Sequence, residues 1–166
     1  MGIGGQQVTI VVDVANVMGS RPDGWWRDRP GAAVRLHDEI VRLAQSGRVI
    51  LPDGPAADAL ATDEASPGQA GEPGFVMVLE GAARAAAARL PAAEPDTDAD
   101  GTGSARPGEV RVVQARGSGD DAIVAVVREL PGRRVVVTAD RELRARCVAA
   151  GAEILGPGWL LGLLRG

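Results

Sequence analysis

Residues 7–20 read QVTIVVDVANVMGS. Within this stretch, residues 8–12 form a mostly β-branched run that is followed directly by the carboxylate of Asp13. A continuous apolar run of this length is typical of a strand buried on both faces of a parallel sheet. Charged groups are costly to bury, so Asp13, directly after Val12, indicates a strand end where something compensates its charge. Asn16 follows three residues later. This stretch therefore predicts a first strand that delivers polar groups to one edge of a sheet.

The same pattern recurs along the chain. Apolar runs FVMVLE (75–80), EVRVVQA (109–115), RRVVVTAD (133–140) and AEIL (152–155) alternate with helical patterns at 33–44, 118–130, 141–151 and 158–165. The alanine-rich segment 81–90 is also predicted to be helical from its residue propensities. Strands that alternate with helices favour right-handed βαβ crossovers. The pattern predicts an α/β fold, a three-layer sandwich with a mainly parallel central sheet of Rossmann-like type.

The chain of 166 residues suits one domain over residues 1–166. Two segments, at about 52–74 and 91–108, are small, acidic and rich in Pro and Gly. They carry too little apolar surface to offset the entropy of ordering, so we predict mobile insertions there. A deletion of residues 94–107 should therefore leave folding nearly intact.

Charge is distributed unevenly. Residues 53–109 hold 11 acids and 3 arginines, a net of −8, whereas the rest of the chain holds 15 arginines and 11 acids, a net of +4. The overall charge of −4 therefore does not argue against a nucleic-acid partner. Cys147 is the only cysteine, which excludes an internal disulfide and fits a reducing cytoplasm. No apolar run approaches the ~20 residues of a membrane span, so we expect a cytoplasmic protein without membrane association.

Several carboxylates fall where predicted strands end or helices begin. In an open parallel sheet, ligands bind beyond the carboxyl ends of the strands, near a switch in strand order. Clustered like charges there would push a carboxyl toward protonation unless a cation is bound. Oxygen donors without a His or Cys cluster favour Mg²⁺ or Mn²⁺ over zinc. The residues at this edge are Asp13, Glu80, Asp120, Asp121 and Asp140.

Each of these residues also has a purely structural interpretation. Ser118 and Asp121 form an S-x-x-D pattern that is typical of a capping box. Asp140 could cap the following helix, Asn16 could hold a turn, and Glu80 could be a rim or capping residue. The loop "GSRPDGWWRDR" (19–29) offers tryptophans that more often anchor a loop than stack on a base. His37 lies among the polar positions of its helix and needs no role.

The motifs VVDVANVMGS, GSGDDAIV and VVVTADREL, in this order, resemble the PIN-like nuclease superfamily, specifically its NYN branch, whose bacterial members are described as RNA-binding proteins containing a PIN domain. The resemblance covers about residues 7–50 and 76–160. It implies a PIN-like fold with Asp13, Asp120 and Asp140 as catalytic metal ligands and Asp121 as a further metal ligand. Asn16 and Glu80 would support them, Glu80 by a looser match.

The resemblance implies metal-dependent hydrolysis of RNA phosphodiester bonds by a carboxylate-bound Mg²⁺ or Mn²⁺ site. Single-stranded RNA is the expected partner, and the substrate contacts would be Arg21, Trp25, Trp26, Arg27, Arg29 and Arg141. A nucleoside triphosphate pyrophosphohydrolase would use the same site, and an inactive RNA-binding module would keep only the affinity. A structural, partner-binding role is a further alternative, and a homodimer remains open.

Overall fold

Five strands form one sheet in this computed structural model, which describes residues 7–49, 51, 72–90 and 106–165. The strands are β1 (Val8–Asp13), β2 (Gly74–Leu79), β3 (Val110–Gln114), β4 (Arg133–Val137) and β5 (Glu153–Leu155). Their order is β3-β2-β1-β4-β5, and every neighbouring pair is parallel. The predicted α/β fold with a parallel central sheet is confirmed.

Helices follow the strands along the chain. The α-helices are α1 (Val14–Gly19), α2 (Arg29–Ser46), α3 (Gly119–Glu129), α4 (Arg141–Ala149) and α5 (Pro157–Arg165). Two 3₁₀-helices span Trp25–Arg27 and Gly81–Arg89. None of the helices in the described ranges is long and apolar enough to cross a membrane.

The sheet separates two apolar cores because successive side chains of a strand point to opposite faces. Ile10 and Val12 of β1 belong to the core that contains the buried face of α2 and part of α5. Val11 belongs to the other core, with Ile123 of α3 and Leu143 of α4. Helices therefore cover both faces of the sheet, which explains why β1 is apolar at consecutive positions rather than at alternate ones.

The topology creates a switch point beside β1. The chain runs outward from β1 to β2 and β3, then returns to β4 on the other side of β1. The connections on the two sides of β1 thus lead in opposite directions. In open α/β sheets, the crevice for a ligand lies at such a point, beyond the carboxyl ends of the strands.

The segment Gly81–Arg89 is a 3₁₀-helix, so the expectation of a helix is met in a tighter form. Side chains three residues apart eclipse one another in a 3₁₀-helix. Ala83 and Ala86 have this spacing, and both are buried. The segment packs against α2. Burial of this three-residue repeat explains why tertiary packing prevails over the α-helical propensity of alanine.

The edges of the two predicted insertions are part of the folded sheet. Gly74 is the first residue of β2, where it pairs with Thr9 of β1. The Gly108 N–H donates to the carbonyl of Pro73 at 3.1 Å, so the residues before β3 are tied to the start of β2. The ordered sheet thus begins slightly earlier than the boundary at residue 74 implies. Residues 52–71 and 91–105, with most of both predicted insertions, lie outside the described residues, so the single domain over 1–166 stays a prediction.

The burial of Cys147 agrees with the sequence-based expectation, whereas the burial of His37 does not. Cys147 is buried, as expected for the lone cysteine of a helix. His37, by contrast, is only 4% exposed and does not lie on the polar face of α2. It follows Leu36 on the helix and shares its buried side. The prediction for His37 was wrong: its polar neighbour Asp38 suggested a polar face, but the His37 side chain packs toward the core.

Candidate active site

Asp13 ends β1 and begins α1, and it is only 8% exposed. Its Oδ1 accepts a hydrogen bond from the Asn16 N–H at 3.3 Å, and its Oδ2 accepts one from the Thr138 hydroxyl at 3.0 Å. Burial raises the pKa of Asp13 to about 6, against the opposing effect of these two hydrogen bonds. The negative charges of Glu80 and Asp120 contribute to this raised pKa. The ionised carboxylate of Asp13 is therefore a buried negative charge, and a bound cation would stabilise it.

Asn16 and Thr138 connect β1 to the loop after β4. The Asn16 side-chain oxygen accepts a hydrogen bond from the Ala139 N–H at 2.9 Å. The Thr138 hydroxyl, which is fully buried, also accepts one from the Asp140 N–H at 3.1 Å. Asn16 therefore does more than hold its own turn, because it fixes the loop that carries Asp140. The two residues set the position of that loop relative to Asp13.

Thr138 was missed by the sequence analysis. It lies one residue beyond Val137, which pairs with Val12, so the sheet register places it beside Asp13. The only signal in the sequence is a hydroxyl directly after the apolar run of β4. From that hydroxyl, a contact with Asp13 can be inferred only when β4 is known to be the neighbour of β1.

Asp140 follows β4 and caps α4, since its Oδ1 accepts a hydrogen bond from the Leu143 N–H at 3.0 Å. The capping interpretation is therefore correct for this residue. It does not remove Asp140 from the site, because the charge of Asp140 is a main reason why the pKa of Asp120 is raised. Asp140 thus combines a structural role with a position among the acids.

Glu80 and Gly119 join the end of β2 to the start of α3. The Glu80 Oε2 accepts a hydrogen bond from the Gly119 N–H at 2.7 Å. Ser118 is the N-cap residue of α3, but its side chain makes no capping hydrogen bond. The predicted capping box of Ser118 and Asp121 was therefore wrong, because a carboxylate from a distant strand end occupies that role. A Cβ atom at residue 119 would overlap the Glu80 carboxylate, so a side chain there would displace that carboxylate from its present position.

Asp120 and Asp121 are neighbours in sequence with different surroundings. Partial burial raises the pKa of Asp120, and the charges of Asp140 and Glu80 raise it further. Asp121 has a side chain that is 71% exposed and forms an ion pair with Arg146 of α4 at 2.8 Å. Asp120 thus interacts with the acids of the strand ends, whereas Asp121 is engaged by a cation on the neighbouring helix.

Asp13, Glu80, Asp120 and Asp140, here called the acidic edge, come from four separate segments at the carboxyl edge of the sheet. Hard oxygen donors of this kind suit Mg²⁺ or Mn²⁺. Within the described ranges, no three carboxylate, imidazole or thiol groups are gathered closely enough to hold a metal ion together. Mg²⁺ is commonly held through one or two carboxylates, with waters and substrate phosphates completing its shell. The donor chemistry and the mutual repulsion of the acids therefore fit a hydrated ion.

The loop between α1 and α2 is held in place by several contacts. Arg21 forms a two-pronged pair with Glu39 of α2, at 2.9 and 2.6 Å. Trp25 is half-buried against the core around α2, with the Arg29 guanidinium 5.4 Å from its ring centroid. Trp26 is 56% exposed. Arg21 thus ties the loop to α2. To contact a phosphate, as predicted, its guanidinium would have to be shared between that phosphate and Glu39.

The other predicted substrate contacts lie at the surface. Arg27, Arg29 and Arg141 are exposed. Arg141 directly follows Asp140 as the first residue of α4, so it stands next to the acidic edge in sequence.

Comparison with known proteins supports the fold. The structure is similar to the crystal structure of Rae1 (YacP) from Bacillus subtilis, in its W164L mutant, with a TM-score of 0.52. The similarity covers 95% of this chain and 74% of that chain, at 13% sequence identity. No family model matches the sequence, and no curated protein does. At this identity the likeness establishes a shared fold and leaves the site to be argued from its own residues.

Proposed function

We propose that the protein is a metal-dependent ribonuclease of the PIN-like type that hydrolyses phosphodiester bonds in RNA at the acidic edge. The observation that carries the proposal is the approach of Asp13, Asp120 and Asp140 at the switch point beside β1, where the charge of Asp120 raises the pKa of Asp13 and the charge of Asp140 raises the pKa of Asp120. Such a concentration of negative charge is unfavourable without a cation, and it is typical of sites that bind divalent metals.

Different residues of the chain would bind the metal, position the acidic segments and bind the RNA phosphates. One or two of Asp13, Asp120 and Asp140 would ligate Mg²⁺ or Mn²⁺ directly, and the other acids, with Glu80, would hold waters of its shell. Asn16 and Thr138 keep the segments in register. A bound divalent ion would supply an activated water and neutralise charge on the scissile phosphate. Arg141 would bind a flanking phosphate, whereas Arg27 and Arg29 would add little attraction, because Asp23 and Asp28 lie beside them in the loop. Asp121 is the weakest candidate for a ligand, because Arg146 neutralises it.

The structural similarity to Rae1 (YacP) supports the fold on which this site is built, and the resemblance of the three motifs to NYN proteins supports RNA as the substrate class. Trp26 lies on the loop after α1 and Arg141 at the start of α4, so both are exposed side chains outside the acidic edge, which favours a polymer over a single nucleotide. A pyrophosphohydrolase would instead need a pocket that encloses one nucleotide.

The test is a cleavage assay on end-labelled single-stranded RNA with Mg²⁺ or Mn²⁺, run beside nucleoside triphosphates. We expect metal-dependent cleavage of RNA by the wild type and a loss of at least 100-fold for Asp13→Asn, because one ligand charge is removed. Asp38→Asn is the matched control, since Asp38 is an exposed carboxylate on α2 and is not one of the acids of the acidic edge. It should retain wild-type activity.

Three results would contradict the proposal. Equal activity of the wild type and Asp13→Asn would show that the reaction occurs elsewhere. Hydrolysis of triphosphates without cleavage of RNA would assign the site to the pyrophosphohydrolase alternative. Binding of RNA without turnover of any substrate would leave a nucleic-acid-binding module.

A further inference from the structure

The two tryptophans of the loop between α1 and α2 occupy different environments. Trp25 and Trp26 meet edge to face, with ring centroids 6.2 Å apart and planes at 88°. Trp25 is half-buried, and Arg29 covers it. Trp26 is exposed over more than half of its surface, and Val148 is the only other exposed large apolar side chain in the described ranges. The loop therefore presents one aromatic ring to solvent and uses the other as its support.

The loop that carries Trp26 is ordered by its own contacts. The Asp23 carboxylate accepts a hydrogen bond from the Trp25 N–H at 3.2 Å, and the Asp28 carboxylate accepts one from the Gly31 N–H at 3.0 Å. Gly24 adopts a left-handed conformation, with φ of 75°, directly before the 3₁₀ turn. The pair of Arg21 with Glu39 ties the loop to α2. An exposed tryptophan on such a loop loses little conformational entropy when it binds a ligand.

The charges beside Trp26 nearly cancel. Arg27 and Arg29 are exposed, but so are Asp23 and Asp28, and Arg21 is paired with Glu39. Electrostatic attraction of a polyanion is therefore small at this loop. An exposed aromatic ring in an almost neutral setting favours a ligand that offers a flat apolar face, and every unpaired nucleobase does so.

We propose that Trp26 is the stacking platform for an unpaired base of the RNA substrate, and that Trp25 is its structural support rather than a second platform. The proposal rests on the proposed function for the identity of the ligand. The loop follows α1, a helix of only six residues that begins directly after Asp13, so the loop starts about 9 Å along the helix from the acidic edge. Bases in a duplex are already stacked and paired, so Trp26 would make the site selective for single strands.

The experiment measures binding without turnover. The full chain is titrated into a fluorescein-labelled ten-nucleotide oligouridylate in EDTA, and anisotropy gives the dissociation constant. Trp26→Ala should weaken binding by about tenfold or more, in line with the contribution of one base stack. Trp26→Phe should recover most of the affinity, and Val148→Ala, the matched loss of an exposed apolar side chain, should change nothing. A duplex of the same length should bind weakly to all variants.

The same titration at several salt concentrations separates stacking from charge. With few phosphate contacts at the loop, Trp26→Ala should lower the affinity by a similar factor at low and high salt. Unchanged affinity of Trp26→Ala, or no binding of single-stranded RNA by the wild type, would overturn the proposal and leave a protein partner as the occupant of Trp26. Because no metal is present, a failure of catalysis leaves this result readable. Cleavage by the wild type combined with unchanged binding of Trp26→Ala would refute only the platform.

Discussion

At Asp13, burial and hydrogen bonding act on the same carboxyl in opposite directions. Burial favours the protonated form, whereas the hydrogen bonds from Thr138 and the Asn16 N–H favour the ionised form, and burial is the larger effect. The resulting pKa of about 6 lies above the value of 3.8 for an unperturbed aspartate. A fold that places a carboxyl in such a position loses stability at neutral pH, and bound metal can restore it.

The raised pKa predicts how stability depends on pH in the metal-free protein. The folded chain binds a proton at Asp13 more tightly than the unfolded chain, so this group's contribution is fully present below about pH 4 and is lost as the pH rises through about 6. Asp13→Asn has no charge to bury, so in EDTA at pH 7.5 it should unfold with a higher free energy than the wild type. The shift sets an upper bound of about 3 kcal/mol on this gain.

Urea denaturation of both proteins at pH 7.5 and pH 4.5 checks this expectation. The gain of Asp13→Asn should shrink at pH 4.5, where the wild-type carboxyl is largely protonated. Asp38→Asn, with an exposed carboxyl, should show no such gain. A variant that is less stable than the wild type at pH 7.5 would mean that the hydrogen bonds of the ionised carboxylate outweigh its burial.

At the scale of secondary-structure elements, the junction between β2 and α3 shows how the site is held. The first N–H groups of a helix have no partner within the helix. In α3, the N–H of Gly119 is satisfied by Glu80, which lies 39 residues earlier in the chain. The bond orients the first turn of α3, which carries Asp120. It therefore positions an acid of the site through the backbone.

Gly119→Ala should disturb this junction, because its new methyl group would occupy the space of the Glu80 carboxylate. We expect a loss of about 1–3 kcal/mol in the free energy of unfolding, as for a buried hydrogen bond that is broken. Gly117→Ala is the matched control, since its methyl group would meet no atom within 4 Å. It should cost far less.

A double-mutant cycle with Glu80→Ala identifies the partner. In that background the carboxylate is absent, so Gly119→Ala should be much less destabilising than in the wild type. Equal losses in both backgrounds would show that Gly119 is required for a reason other than its contact with Glu80.

Local sequence patterns explain which elements could be predicted. β1 was recognisable because burial on both faces leaves a continuous apolar run, and α2 because Leu36, Ile40 and Leu43 recur at helical spacing. The cap of α3 could not be predicted, since it comes from Glu80 and not from a neighbour in sequence. The 3₁₀ form of Gly81–Arg89 likewise depends on what Ala83 and Ala86 pack against. Propensity and spacing report local energies, whereas these features depend on contacts between distant segments.

At the scale of the whole molecule, the strand order determines which residues meet. Asp13 and Thr138 are 125 residues apart in sequence, and their contact exists because β4 returns to the side of β1. The sequence indicated that acids lie at strand ends, which was enough to predict an edge rich in carboxylates. It named Asp121 as a metal ligand beside Asp120, because the pairing that engages Asp121 involves Arg146 of a later helix.

The sequence between the 3₁₀-helix and β3 predicts that the fold tolerates a shorter connection. Residues 94–104 read EPDTDADGTGS and include no large apolar side chain. Replacing them with Gly-Ser-Gly should change the midpoint of thermal unfolding by only a few degrees, because loop-closure entropy varies slowly with length. Arg106 is kept, since its N–H and carbonyl both bond to Glu109, at 2.9 Å each. A replacement of equal length by Gly and Ser is the control, and a large fall in the midpoint for the short form alone would contradict the expectation.

The proposed ribonuclease activity requires the acidic edge to bind a hard cation. A titration of Mn²⁺ followed by electron paramagnetic resonance tests this directly. The wild type should bind Mn²⁺ saturably, and excess Mg²⁺ should displace it. Asp120→Asn should weaken binding at least tenfold, whereas Asp121→Asn should have a much smaller effect, because the Asp121 carboxylate is paired with Arg146. No saturable binding by the wild type, or equal binding by the wild type and Asp120→Asn, would contradict the account.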